Sequence, residues 1–254
     1  MPCDKIAWLE RVEAKNFSCN SYHGLPEAPA FSITPGELPV IVSAPHAVTQ
    51  LRDGRVKPSD DFTGAIALAL AHESGCHAIV ACRFDACDPN WDPLERSAYK
   101  RALVAHVRER GIRACIDLHG MVSAWPALVA IGTADGATVA ARPELRDLAA
   151  RIFRDRLDPY VKRYGKQIVV DGDLAARNPN TVTQTVAREC GIPCLQIELS
   201  TLLRVPRSVG GIPRGEKAPP KRFLDHELKA RSHPDPDAVL AAVDALAELV
   251  RSCT

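Results

Sequence analysis

The 254-residue chain has no run of 18 apolar residues and no apolar core within Met1 to Asn16. A membrane-spanning helix and a secretory leader are therefore not expected, and the sequence reads as a soluble, cytoplasmic protein with no membrane partner. The formal net charge is +1 with no sustained basic stripe, so the electrostatic footprint of a nucleic-acid binder is missing. The nine cysteines include no CxxC pair. They are scattered, and Cys82, Cys115 and Cys194 lie in apolar runs, which argues for reduced thiols and against a disulfide framework or a zinc knot. No GxGxxG follows a strand and no GxxxxGKS/T occurs, so nucleotide binding lacks its phosphate cradle. Neither the GxSxG elbow of serine hydrolases nor HExxH is present.

What remains is ordinary globular composition, 46% hydrophobic and 25% charged. Short apolar runs alternate with helical spacing. Residues 1–37 read as an irregular lead-in with a strand or two. Strands are expected at 38–44, 77–82, 114–118, 127–131, 167–170 and 193–199. Helices are expected at about 60–72, with Ser59 or Asp60 as N-cap, and at 94–110, 143–163, 180–189 (capped by Asn180) and 235–250. Gln50 to Ser59 reads as a polar loop, and residues 205–222, rich in proline, glycine and charge, as a mobile one. The alternation argues for one α/β domain over residues 1–254, with a mostly parallel sheet covered on both faces.

Three buried strands end in groups that ligate metals or move protons: His46, His119 and Glu198. Parallel strands bring their carboxyl ends together, so these distant residues can converge. Two neutral imidazoles and a carboxylate are the usual protein set for a catalytic zinc. Asp60 and Asp61, after the His46 loop, are the candidate carboxylates. An acid inside Leu195–Leu199 is costly to bury ionised. Beside a metal-activated water Glu198 makes sense as general base and then acid; as a structural group it would pair with an arginine such as Arg204. Asp117 shares a strand face with His119. It fits the role of accepting an imidazole N–H, from His119 or from a ligand on the neighbouring strand. Trp91, Trp125, Arg83, Arg177 and Arg204 are candidates for lining a substrate pocket.

Ser43-Ala44-Pro45-His46, Asp60-Asp61-Phe62-Thr63-Gly64, Asp88-Pro89-Asn90, Asp117-Leu118-His119-Gly120 and Gln196-Ile197-Glu198-Leu199 occur in that order. This series resembles the N-formylglutamate amidohydrolase family, related to zinc carboxypeptidases and aspartoacylase-like deacylases. The resemblance implies a phosphorylase/hydrolase-like α/β fold and zinc-dependent hydrolysis of a C–N amide bond. It implies His46 and His119 as metal ligands, with Asp60 or Asp61 between them and Asp60 slightly favoured. Glu198 would be the catalytic glutamate, and Asn90 would help bind substrate. Two positions depart from the family pattern. Pro45-His46-Ala47-Val48 stands where Pro-His-Ser-Gly is common, and Trp91 stands where an arginine follows the asparagine. A guanidinium fork there would bind a substrate carboxylate; Arg83 and Arg177 are the candidates to replace it. The expected partner is an N-acyl amino acid or a short peptide. The alternatives are a carboxypeptidase-like peptidase and a non-catalytic binding module on the same fold.

Overall fold

A computed structural model of the chain describes residues 5–208 and 221–254. The strands, in chain order, are β1 (Phe31–Thr34), β2 (Leu38–Ala44), β3 (Gln50–Arg52), β4 (Arg55–Lys57), β5 (Cys76–Ala81), β6 (Ala114–Met121), β7 (Ala127–Gly132), β8 (Gln167–Val170) and β9 (Cys194–Ser200). β5, β7 and β9 are buried along their whole length and β6 at every residue but Gly120. Continuous apolar runs of this kind belong to strands covered on both faces. Seven strands of the described residues form one sheet in the order β1-β5-β2-β6-β9-β7-β8. β5, β2, β6 and β9 run parallel, β1 and β7 lie antiparallel to β5 and β9, and β8 is parallel to β7. The sheet is thus mostly parallel, as expected, with a reversal beside β9.

Helices flank the sheet in two groups. Thr63–Ser74 packs on β2 and β5, and against Pro236–Ser252, which also contacts Glu144–Tyr164. Ala98–Arg110 and Val182–Cys190 pack on each other. The register sets Ser43 beside Asp117 and His119 beside Glu198. These pairs lie at the carboxyl ends of three parallel strands, where open α/β sheets place ligands.

Several boundaries differ from expectation. The lead-in contains a helix, Lys5–Asn16, whose buried residues are Leu9 and Glu13. A charged residue on the buried face conceals the apolar periodicity. The polar loop at 50–59 contains the β3–β4 hairpin, turning at Asp53-Gly54. Both turn residues have positive φ, which an Asp-Gly pair accommodates. The expected helix at 60 begins only at Thr63, because the Asp60 carbonyl accepts from both the Thr63 amide and hydroxyl. Ser97 and Thr181 cap the helices expected to start at 94 and at Asn180; their hydroxyls accept from Lys100 and Gln184 amides. Of the loop read at 205–222, residues 209–220 lie outside the described residues. Lys221–Ser232 is helical. The eight described cysteines are free. No helix among the described residues is long and apolar enough to cross a membrane.

Two buried ionisable residues, Lys100 and Glu13, brace the elements around the sheet. Lys100 is fully buried, and its ammonium donates to the carbonyls of Asp92 and Asn180, both at 2.6 Å. It ties two loops together, and Lys100→Met would strand both carbonyls. That variant should lose about 2–4 kcal/mol in denaturant unfolding. Glu13 lies beneath the start of Thr63–Ser74 and accepts from the Phe62 amide at 2.8 Å. Burial pushes its carboxyl up from an ordinary 4.5 to about 8; the Phe62 N–H opposes the rise and Asp61 adds to it. Folding therefore disfavours ionised Glu13, and stability is lost as pH rises from about 4.5, where the unfolded chain releases the proton, to about 8. Glu13→Gln keeps an acceptor for Phe62 without the titration. In denaturant titrations it should be near neutral at pH 4.5 and stabilising by roughly 1–3 kcal/mol at pH 9.

Candidate metal centre

His46 follows Pro45 just beyond β2, and Asp60 is tied to it by its backbone amide, which donates to the His46 carbonyl at 2.8 Å. His119 projects from β6. All three side chains are buried and converge. The separations are 3.1 Å from His46 Nδ1 to His119 Nδ1, 3.3 Å from His46 Nδ1 to Asp60 Oδ2, and 3.5 Å from His119 Nδ1 to Asp60 Oδ2. Donors held ~2.0–2.1 Å from a tetrahedral zinc stand ~3.3–3.4 Å from one another. The donor set and its spacing therefore fit such an ion.

The outer nitrogens of the two rings explain the arrangement. His46 Nε2 lies 2.8 Å from Asp88 Oδ1, and His119 Nε2 lies 2.9 Å from Asp117 Oδ2. Each carboxylate holds an N–H on the far side of its ring, which turns a bare Nδ1 inward. Two inward lone pairs beside a carboxylate oxygen require something positive among them, either a proton or a metal ion. Burial alone would lower the proton affinity of His119; the charge of Asp117 and its hydrogen bond outweigh that and raise it well above the ordinary value. Burial likewise opposes ionisation of Asp60, but Lys57, 2.8 Å from Oδ1, and the two imidazoles hold its carboxyl well below the usual range.

The supporting carboxylates are themselves held. Asp117 accepts from Ser43 Oγ at 2.9 Å and Thr183 Oγ1 at 3.1 Å. Asp88 accepts from Arg52 Nε at 2.7 Å and from the Asn90 amide at 2.8 Å. Burial would raise the Asp88 carboxyl, but His46 and Arg52 pull it far below the usual range.

Glu198, on β9 beside His119, is 8% exposed and lines a cavity of about 620 Å³ with His46, Asp60 and His119. Its Oε1 accepts from Gln196 Nε2 at 3.1 Å. Oε2 has no protein partner among the described residues. Burial raises its pKa, with the charge of His119 opposing. A buried carboxyl with one free oxygen and raised proton affinity, facing a cavity, is equipped to take up and return a proton.

The other candidates divide. Asp61 is turned away from the centre: its carboxylate accepts from Ser59 Oγ and Arg231, each within 2.8 Å. Asp117 serves His119 rather than a ligand on the neighbouring strand. Asn90 lines the cavity and its Oδ1 accepts from the Val182 amide. Arg83 is exposed, donates to the Pro26 carbonyl and is not among the cavity-lining residues, so it cannot replace an arginine there. Arg177 lines the cavity, but Asp135 already takes its Nε and Nη2. Arg204 does not pair with Glu198. It donates to the Asp61 carbonyl and lies across Gly120, where a Cβ would stand 2.4 Å from its Nε. Trp91 and Trp125 both line the cavity. Sequence reasoning quoted Asp88 and Gln196 in motifs without giving them a role, and did not single out Arg52 or Lys57. Gln196 could have been found from its spacing two before Glu198 on a strand; the others are joined to the centre only by the fold.

No protein-family model matches the sequence, and no curated protein matches it. Among solved structures, N-formylglutamate amidohydrolase from Ralstonia eutropha JMP134 is similar, with a TM-score of 0.58 and 18% identity, covering 89% of this chain and 97% of that one. A bacteriophage poly-gamma-glutamate hydrolase is similar at TM-score 0.48 and 14% identity, over 90% and 91% of the two chains. A metallo-carboxypeptidase from Burkholderia cenocepacia is similar at TM-score 0.45 and 12% identity, over 91% of this chain and 61% of its own length. The chain has the fold of that amidohydrolase structure, as the resemblance in its sequence implies.

Proposed function

We propose that this protein is a metal-dependent hydrolase that cleaves the C–N amide bond of an N-formyl or N-acyl amino acid. The observation that carries the reading is the inward-facing triangle of His46 Nδ1, His119 Nδ1 and Asp60 Oδ2, with the free Oε2 of Glu198 on the adjoining strand. The resemblance of the ordered motifs to amidohydrolases supports the choice of bond. Zinc or a similar divalent ion, held by His46, Asp60 and His119, would polarise the scissile carbonyl and acidify water.

The chain's own residues would do the rest. Glu198 Oε2 takes a proton from the attacking water and returns it to the leaving nitrogen, so the carboxylate consumed in one step is regenerated in the next. Gln196 holds Oε1 and leaves Oε2 as the working oxygen. Asp88 and Asp117 keep both imidazoles in the tautomer that presents Nδ1. Burial of the centre strengthens each of these electrostatic contacts relative to water. Asn90 and the Trp91 side of the cavity receive the substrate.

Two measurements test this. Glu198→Gln should retain the metal by elemental analysis while kcat/KM on N-acyl amino acids falls by about 10²–10⁴; near-normal turnover rules out its role as base. Asp88→Ala should keep all three ligands yet bind metal about 10–100-fold more weakly in competition with a chelator, whereas His46→Ala should lose the metal. Full occupancy in both variants would reject the centre.

A further inference from the structure

The cations around the cavity differ in what they have left to offer. Lys57 is committed to Asp60, Arg177 to Asp135, and Arg231 to both Asp61 and Glu227. Arg204 is 2% exposed, its Nε shut against Gly120. Arg52 is different. It stands at the cavity rim on β3, its side chain 33% exposed. Its Nε is fixed on the fully buried Asp88 at 2.7 Å, and its guanidinium lies over the Trp91 ring, 5.1 Å from the centroid. Neither Nη1 nor Nη2 donates to a protein group among the described residues.

A guanidinium held by one edge and stacked on one face loses little freedom when its remaining edge binds, and that edge matches a carboxylate in two parallel hydrogen bonds. Asp88 also accepts from His46 Nε2, and it engages Arg52 through Nε alone. Trp91 lines the same cavity, and its ring carries the Arg52 guanidinium there. Here it serves as the platform.

We propose that Arg52, stacked on Trp91, is the specificity-determining residue that receives a carboxylate of the substrate. This rests on the amidohydrolase reading for the identity of the substrate, but the carboxylate site is testable by binding alone. The test uses full-length, metal-loaded protein carrying Glu198→Gln, so that ligands bind without turnover. N-acetyl derivatives of glycine, leucine, phenylalanine and glutamate are titrated by calorimetry against their carboxamides. An acid should bind about tenfold or more tightly than its carboxamide. Arg52→Met in the same background should erase that preference by weakening the acid alone, and Arg52→Lys should recover part of it.

Equal binding of acids and carboxamides, no binding of any acid, or a preference that survives Arg52→Met overturns the assignment. A uniform loss of both ligand types in Arg52→Met also overturns it, because Arg52 would then act only through Asp88 on His46. An Arg52-dependent acid preference, in a protein whose unsubstituted form hydrolyses none of the acids, upholds the carboxylate site and discards the amidohydrolase reading.

Discussion

Two imidazole nitrogens facing each other across 3.1 Å are the constraint on which the centre is built. Lone pairs so close repel unless a cation lies between them, and the surroundings are arranged to keep them there. Asp88 and Asp117 hold the opposite ring nitrogens, the serine and threonine hydroxyls hold Asp117, and Arg52 holds Asp88. Asp60 adds a third donor from a loop that its own backbone ties to His46. Burial makes each of these ties more demanding, because an unpaired charge there would be costly.

The sheet supplies the remaining geometry. Parallel pairing of β2, β6 and β9 sets three reactive strand ends side by side, and its register puts Glu198 next to His119 rather than one residue off. A one-residue slip would point Glu198 to the opposite face. The rest of the site comes from loops: the β3–β4 hairpin brings Arg52 and Lys57 to the rim, and Lys100 clamps the two loops that carry Trp91 and Thr181. A rigid frame holding variable loops allows the chemistry to stay fixed while the edge of the cavity changes.

The strands and their reactive ends were legible because polarity breaks in abruptly after an apolar run: Ile116 before Asp117, Ile197 before Glu198. Asp60 was favoured over Asp61 only slightly in the sequence, since their difference lies in what each faces, the imidazoles or Arg231. Asp88 was quoted as part of a motif without a role, because its partner is His46, forty-two residues away. The helix Lys5–Asn16 was hidden by Glu13, a buried polar side chain on the face that periodicity expects to be apolar. Arg83 and Arg177 were named and Arg52 was passed over because a sequence does not record which guanidinium edges are already occupied.

The two ring supports differ in the length of chain that each must close. Asp117 and His119 are two residues apart on one strand, whereas Asp88 reaches His46 from a loop forty-two residues on. The Asp117–His119 contact needs only the geometry of β6. The Asp88–His46 contact depends on the turn at 88–92, where the Asp88 amide donates to the Asp92 carboxylate and the Asp92 carbonyl accepts from buried Lys100. Local opening of that turn frees one imidazole to rotate while leaving the other in place. Whatever loosens the 88–92 turn therefore bears on the His46 ring alone, because the His119 ring is held from within its own strand.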